Sequence, residues 1–177
     1  MRRERGRPIS PDALRLDVSY PARAASVPAA RAAVAAFAAP NGPTAEQLDS
    51  VSLAVSEAVT NAVVHAYPVG VPGPVHLTAA LTGRALLVIV ADDGCGLGAA
   101  RETPGLGLGL NLIEDSCDSL TIGASRSGGT QLEMRFVLSS AAGEAEPSEA
   151  LAPRRVASLN PLRLAALLHD SPAEGGA

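Results

Sequence analysis

The chain has 177 residues with a formal net charge of −4, 47% hydrophobic and 18% charged. That supplies a core for one domain plus a tail and excludes a globally disordered chain. The acidic balance, with a pI near 5.3, argues against a dedicated nucleic-acid binder, and an aromatic content of 2% is too low for a base-stacking platform.

Residues 1–11 are polar and arginine-rich and read as a mobile arm. From Leu14 the alternation Leu-Arg-Leu-Asp-Val predicts a half-buried strand over 13–19. Residues 24–39 are alanine-rich and predict a helix that stops at Pro40-Asn41-Gly42-Pro43. Thr44 with Gln47 three residues on has the spacing of a capping box. Leu48, Val51, Val55, Ala58, Val59, Ala62 and Ala66 then recur at helical spacing, so a second helix runs to about Tyr67. Val75–Thr82 and Ala85–Ala91 read as strands joined by a type II′ turn at Gly83-Arg84. A glycine-rich segment follows over 94–109, then a short helix from Leu108 to Ser116. Ser119–Ser125 and Thr130–Leu138 form a last hairpin around Ser127-Gly128-Gly129.

The order β-α-α-β-β-α-β-β predicts an α/β (α+β) two-layer sandwich, with a mixed, largely antiparallel sheet and helices on one face. This domain covers 12–138. A linker of Ala, Gly, Glu, Pro and Ser spans 139–158, and a tail over 159–177 carries a short amphipathic helix. Cys95 and Cys117 have no metal-ligand spacing and read as two reduced thiols. The basic start is followed by no apolar export core, and no run is long enough to span a membrane. The sequence reads as a soluble, cytoplasmic protein.

Four segments carry candidate chemistry. Glu57, Asn61 and His65 lie i, i+4, i+8 on the second helix, each turned about 40° from the last. Alone they would be a solvated face. A carboxylate one turn from a carboxamide also suits a general base beside a ligand for magnesium. Asp92-Asp93-Gly94-Cys95-Gly96 follows a strand. It would pass for an ordinary turn, yet an Asp at a strand end can accept from an exocyclic amine. Gly105-Leu106-Gly107-Leu108-Gly109-Leu110 opens a helix, where backbone amides and the helix dipole favour phosphate. Its spacing is not that of a dinucleotide fold, and a chain without lysine has no P-loop. Gly128-Gly129-Thr130 sits at a hairpin tip.

In this order the segments resemble the N, G1, G2 and G3 boxes of the GHKL (histidine kinase-like) ATPase/kinase superfamily, with the Bergerat fold. The form Ser-Glu-Ala-Val-Thr-Asn is most similar to the stand-alone anti-sigma factor serine/threonine kinases of sporulation and the general stress response. The resemblance covers about 14–138. It implies that Glu57 is the general base and Asn61 the Mg2+ ligand. Asp92 would bind the adenine amino group of ATP, with Gly94 and Gly96 shaping that wall and Thr130 completing it. Gly105, Gly107, Leu108 and Gly109 would lie on the phosphate side. The implied partners are an anti-anti-sigma (STAS-type) protein, phosphorylated on a serine, and a sigma factor. A homodimer is implied as well, with no direct nucleic-acid or membrane contact.

The segment between the G1 and G2 boxes, about Leu97 to Pro104, is short for an ATP lid. Arg101 is its only cation and the one local residue able to neutralise the terminal phosphate. The alternative is therefore an ATP-binding partner-switching module with little or no kinase activity.

Overall fold

The computed structural model describes residues 14–96 and 106–139. The expected arm, the lid with Arg101 and Gly105, and the linker and tail beyond Ser139 lie outside them. The elements run β1 (Leu14–Pro21), α1 (Ser26–Ala38), α2 (Ala45–His65), β2 (Pro74–Thr82), β3 (Ala85–Asp92), α3 (Leu106–Ser116), β4 (Ser119–Ala124) and β5 (Thr130–Val137). The five strands form one sheet in the order β1-β2-β3-β5-β4. Every recorded pair is antiparallel, so the sheet expected to be mixed has no parallel pair among the described residues.

Period-two alternation sorts the sheet into two faces. Leu86, Val88 and Val90 of β3 are buried and stand opposite Phe136, Met134 and Leu132 of β5. Their other neighbours, Leu81, Ala79 and Leu77 of β2, are buried too. His76, Thr78, Glu133 and Arg135 alternate onto the opposite, wetter face. The helices cover the first face, with α2 between α1 and α3. On α2 the buried residues Val51, Ala54, Val55, Ala58, Val59 and Ala62 keep the three-to-four spacing of a helix that buries one stripe. Each fully buried valine here contributes about 1.5–3 kcal/mol relative to exposure.

The predicted start of α2 is present in full. The Gln47 amide N–H donates to Thr44 Oγ1 at 3.2 Å, and the Thr44 N–H donates to Gln47 Oε1 at 3.2 Å. Gln47 does more than cap: its Nε2 donates to the Val137 carbonyl at 2.9 Å and its Oε1 accepts from Ser139 N at 2.9 Å. One side chain thus ties the start of α2 to the end of β5. Gly83 takes φ 60° at the β2–β3 turn, as the first central position of a type II′ turn requires. Several boundaries differ from expectation by one or two residues, two of them at helix starts. Residues 24–25 form a turn rather than helix, closed by Ser26 N–H to the Arg23 carbonyl at 2.9 Å. α3 begins at Leu106, two residues early, so Gly107 and Gly109 lie inside its first turns.

Candidate functional site

The alternation that buries β3 places a carboxylate in the core row. Asp92 follows Leu86, Val88 and Val90 on the inner face, at the end of the strand, and is only 4% exposed. A buried carboxylate must be hydrogen-bonded to be tolerated. Oδ1 accepts from the Gly94 N–H at 2.9 Å and from the Thr130 N–H at 3.0 Å. Both bonds recorded for Asp92 fall on that oxygen. Asp93 alternates to the outer face, where Ser127 Oγ and His76 Nε2 bind its carboxylate. Those two hydrogen bonds, Ser127's first, hold the Asp93 carboxyl below the ordinary carboxylate range.

Backbone contacts stitch the loop after β3 onto the end of α2. The Cys95 N–H donates to the Ala66 carbonyl at 3.0 Å, and the Cys95 thiol donates to the His65 carbonyl at 3.6 Å. Asp93 N–H donates to the Tyr67 hydroxyl at 2.8 Å, which itself donates to the Pro74 carbonyl at 2.6 Å. Burial pushes the Tyr67 phenol up, and the charges of Asp92 and Asp93 add to this. The approach is so close that a Cβ on Gly94 would collide with the Ala66 carbonyl oxygen. Gly96 adopts φ 71°, and a Cβ there would stand 2.8 Å from the Gly128 carbonyl oxygen. The glycines of this loop are therefore fixed by a packing problem, the close contact of loop, helix end and hairpin tip.

Further back along α2, Glu57 and Asn61 face α3. A Cβ on Gly109 would lie 3.1 Å from Glu57 Oε2 and 3.3 Å from Asn61 Oδ1. The missing side chain leaves the carboxylate and carboxamide room beside the start of a helix, where backbone N–H groups lack intrahelical partners. Asn61, His65, Asp92, Gly96 and Thr130 line one cleft, floored by apolar side chains including Leu110, Ile122 and Leu132. Asn61 Nδ2 and His65 Nδ1 are buried and have no hydrogen-bond partner among the described residues. The cleft lining thus combines a buried carboxylate with apolar side chains, which suits a flat heterocycle with a polar tail.

The expected residues do not all meet at one place. Asn61, Asp92, Gly96 and Thr130 meet in the cleft lining. Glu57 and Gly109 stand together one turn away, and Gly94 serves the loop-to-helix contact. Gly107 and Leu108 lie in α3, while Gly105 and Arg101 are outside the described residues. Two positions, Ala66 and Tyr67, escaped residue-level reasoning, and Gly129 was named only within the Gly128-Gly129-Thr130 segment. A Cβ on Gly129 would strike the backbone oxygen of Asp92. Ala66 acts through its carbonyl, and Tyr67 through its hydroxyl. The Gly-Gly pair before Thr130 was a usable signal for Gly129. A backbone acceptor such as Ala66 leaves no trace in side-chain identity.

Comparison with known proteins bears on the family and the fold. Residues 20–136 match the family described as histidine kinase-like ATPase domain. The chain is 36% identical over 122 residues to the anti-sigma F factor of Clostridium kluyveri, covering 63% of this chain and 85% of that protein. It is 31% identical over 121 residues to the anti-sigma F factor of Bacillus subtilis (strain 168), covering 62% of this chain and 83% of that one. A crystal structure of the RsbU and RsbW domains of a Mycobacterium tuberculosis protein superposes with a TM-score of 0.57 at 25% identity. That match covers 71% of this chain and 32% of the longer one. The chain belongs to the histidine kinase-like ATPase domain family, the GHKL fold.

Proposed function

We propose that residues 12–138 form an ATP-dependent protein serine/threonine kinase that acts as an anti-sigma factor. It transfers phosphate to a serine of an anti-anti-sigma (STAS-type) partner and, in its other state, holds a sigma factor. The observation that carries this reading is the pairing of Glu57 and Asn61 against Gly109, on the same helix that walls the Asp92 cleft. The names of the anti-sigma F factor relatives support the partner class. The same reading makes the protein a cytoplasmic homodimer with no direct nucleic-acid contact. Among the described residues no helix is long and apolar enough to cross a membrane.

In this mechanism the adenine amino group donates to Asp92, and Thr130 closes the same wall. The Glu57 carboxylate takes the proton of the partner's serine hydroxyl. The serine oxygen forms a bond to the γ-phosphorus as the bond to the β–γ bridging oxygen breaks and ADP departs. Magnesium fits the residues present: Asn61 offers a hard carboxamide oxygen next to the Glu57 carboxylate. Among the described residues no group of three or more His, Cys, Asp or Glu could hold a metal. That suits an ion bound mainly by phosphates with one or two protein ligands. When bound, it supplies charge neutralisation for the phosphates. The resemblance assigns Gly105, Gly107, Leu108 and Gly109 to the phosphate side and Arg101 to the terminal phosphate.

A second reading, a partner-switching module that binds ATP with little or no transfer, is favoured by one feature. Arg101 is the single cation between Leu97 and Pro104. Incubating the chain with labelled ATP, magnesium and an anti-anti-sigma partner separates the two. The kinase reading expects label on the partner's serine and none with Glu57→Gln, which still binds ATP. Bound ATP with no transfer by the wild-type chain establishes the module instead.

A further inference from the structure

On the outer face of the sheet, opposite the helices, three side chains form a continuous hydrogen-bonded chain. Ser19 Oγ on β1 lies 2.9 Å from His76 Nδ1 on β2, and His76 Nε2 lies 3.2 Å from Asp93 Oδ2. The register explains the first contact. The Ala22 N–H donates to the Gly73 carbonyl at 2.8 Å, which makes those two a hydrogen-bonded pair. Three residues back along the ladder, Ser19 and His76 therefore form a non-hydrogen-bonded pair, the kind whose side chains stand closest. The second contact is held from its far side, because Ser127 Oγ donates to the other Asp93 oxygen.

These bonds fix where the protons sit. The hydrogen bonds from Ser127 and His76 hold the Asp93 carboxyl below its ordinary range, so it is an acceptor. His76 Nε2 must then carry the proton it donates, which leaves Nδ1 of the neutral imidazole to accept from the Ser19 hydroxyl. A hydroxyl bonded to an imidazole that a carboxylate orients is the arrangement that activates a serine. The same register supplies a donor for the charge that builds on an attacked carbonyl. β1 ends the sheet, and the Ser19 N–H points away from β2 toward that open edge. Ser19 is exposed and the His76 side chain is 43% exposed, so a small reagent reaches both. We infer that Ser19 is an acyl-accepting nucleophile, with His76 as its general base and Asp93 positioning the imidazole. The acyl donors are small carboxylic esters and thioesters with good leaving groups, since an open, solvated face adds little to the nucleophile itself. Oγ bonds to the carbonyl carbon as its proton passes to His76 Nδ1. The bond from that carbon to the leaving oxygen or sulfur then breaks, and the leaving group departs with the Nδ1 proton. Ser19 is left as an ester. Nucleotide binding does not enter this inference.

The test is to treat the full chain with p-nitrophenyl acetate and follow acetylation residue by residue by peptide mass. The chain has no lysine, so the ordinary acceptor of acyl groups in proteins does not compete. Ser119 on β4 is exposed too, pairs with Arg135 instead of a histidine, and serves as the internal reference. Ser19 should acetylate about a hundredfold faster than Ser119, and His76→Ala should remove that advantage at an unchanged unfolding temperature. Asp93→Asn, whose amide no longer selects the imidazole tautomer, should slow labelling of Ser19 about tenfold or more. Asp93→Glu should restore part of that rate. Equal rates at Ser19 and Ser119 overturn the inference, and this comparison needs no variant to fold. Acetyl on His76 with Ser19 unmodified overturns it as well, as does a folded His76→Ala chain that labels Ser19 as fast as the wild type. Undiminished labelling in Asp93→Asn overturns the positioning role.

Discussion

At Gly109 the stability of a helix and the chemistry beside it have opposite requirements. Alanine is favoured over glycine in a helix interior by about 1 kcal/mol, so Gly109→Ala should raise the unfolding temperature or leave it unchanged. The added Cβ would sit 3.1 Å from Glu57 Oε2 and displace the carboxylate that the mechanism uses. Phosphoryl transfer should fall about tenfold or more, and a gain in both stability and transfer would remove Gly109 from the site. Asp92 gives a second case. Both backbone donors bind its Oδ1, so in Asp92→Asn the amide oxygen takes that place and the NH2 faces the adenine amine. Donor then meets donor, and ATP affinity should drop ten- to a hundredfold, the value of about 1.5–3 kcal/mol for a charged hydrogen bond. Equal binding of guanine and adenine nucleotides by the wild type would refute the role of Asp92. Cys117 gives a pH signature. Burial first, then Asp118 and Glu114, push its thiol up from 9.0 to about 11. The folded chain holds this proton more tightly than the unfolded one, so its contribution is complete below pH 9.0 and lost as pH rises toward about 11. Urea denaturation across that range should show a decline that Cys117→Ala lessens.

Among the elements, α2 bears on both fold and site. Its capping box was legible because the signal is local: Thr44 and Gln47 are three residues apart and each side chain bonds to the other's backbone. Thr44→Ala should cost about 1 kcal/mol in chemical denaturation. Gln47→Ala should cost more, because it also frees Val137 and Ser139 at the end of β5, a long-range role that the spacing does not reveal. An equal cost for the two variants would count against that role. The start of α3 was misjudged by two residues, since Gly105 to Gly109 has the composition of a loop. Its helical state reflects packing against α2, a tertiary effect that outweighs glycine's poor helix propensity. The loop after β3 shows the same limit. Asp92 stood out as a strand-end carboxylate, but its place in the core row needed the register of β3 with β2 and β5. The contacts of Gly94 with Ala66 and of Gly129 with Asp92 run through carbonyl oxygens, which any residue type would supply.

For the molecule as a whole, one sheet and its helix layer bring together four segments spread over residues 57–130. α2 carries the Gln47 tie at one end and the cleft wall at the other, about 21–27 Å apart at the rise of an α-helix. In the sequence, Gly105, Gly107 and Gly109 read as a phosphate site, and Gly94 and Gly96 as part of the adenine wall. In the fold, Gly94, Gly96 and Gly129 are needed for close backbone packing around Asp92, and Gly109 for space beside Glu57. The central claim is that this arrangement is an ATP site. Calorimetric titration of the intact chain with ATP and ADP, each with and without magnesium, tests it most directly. The account predicts ATP binding that magnesium strengthens and that Asp92→Asn weakens. A folded chain that takes up neither nucleotide under any of these conditions would contradict it.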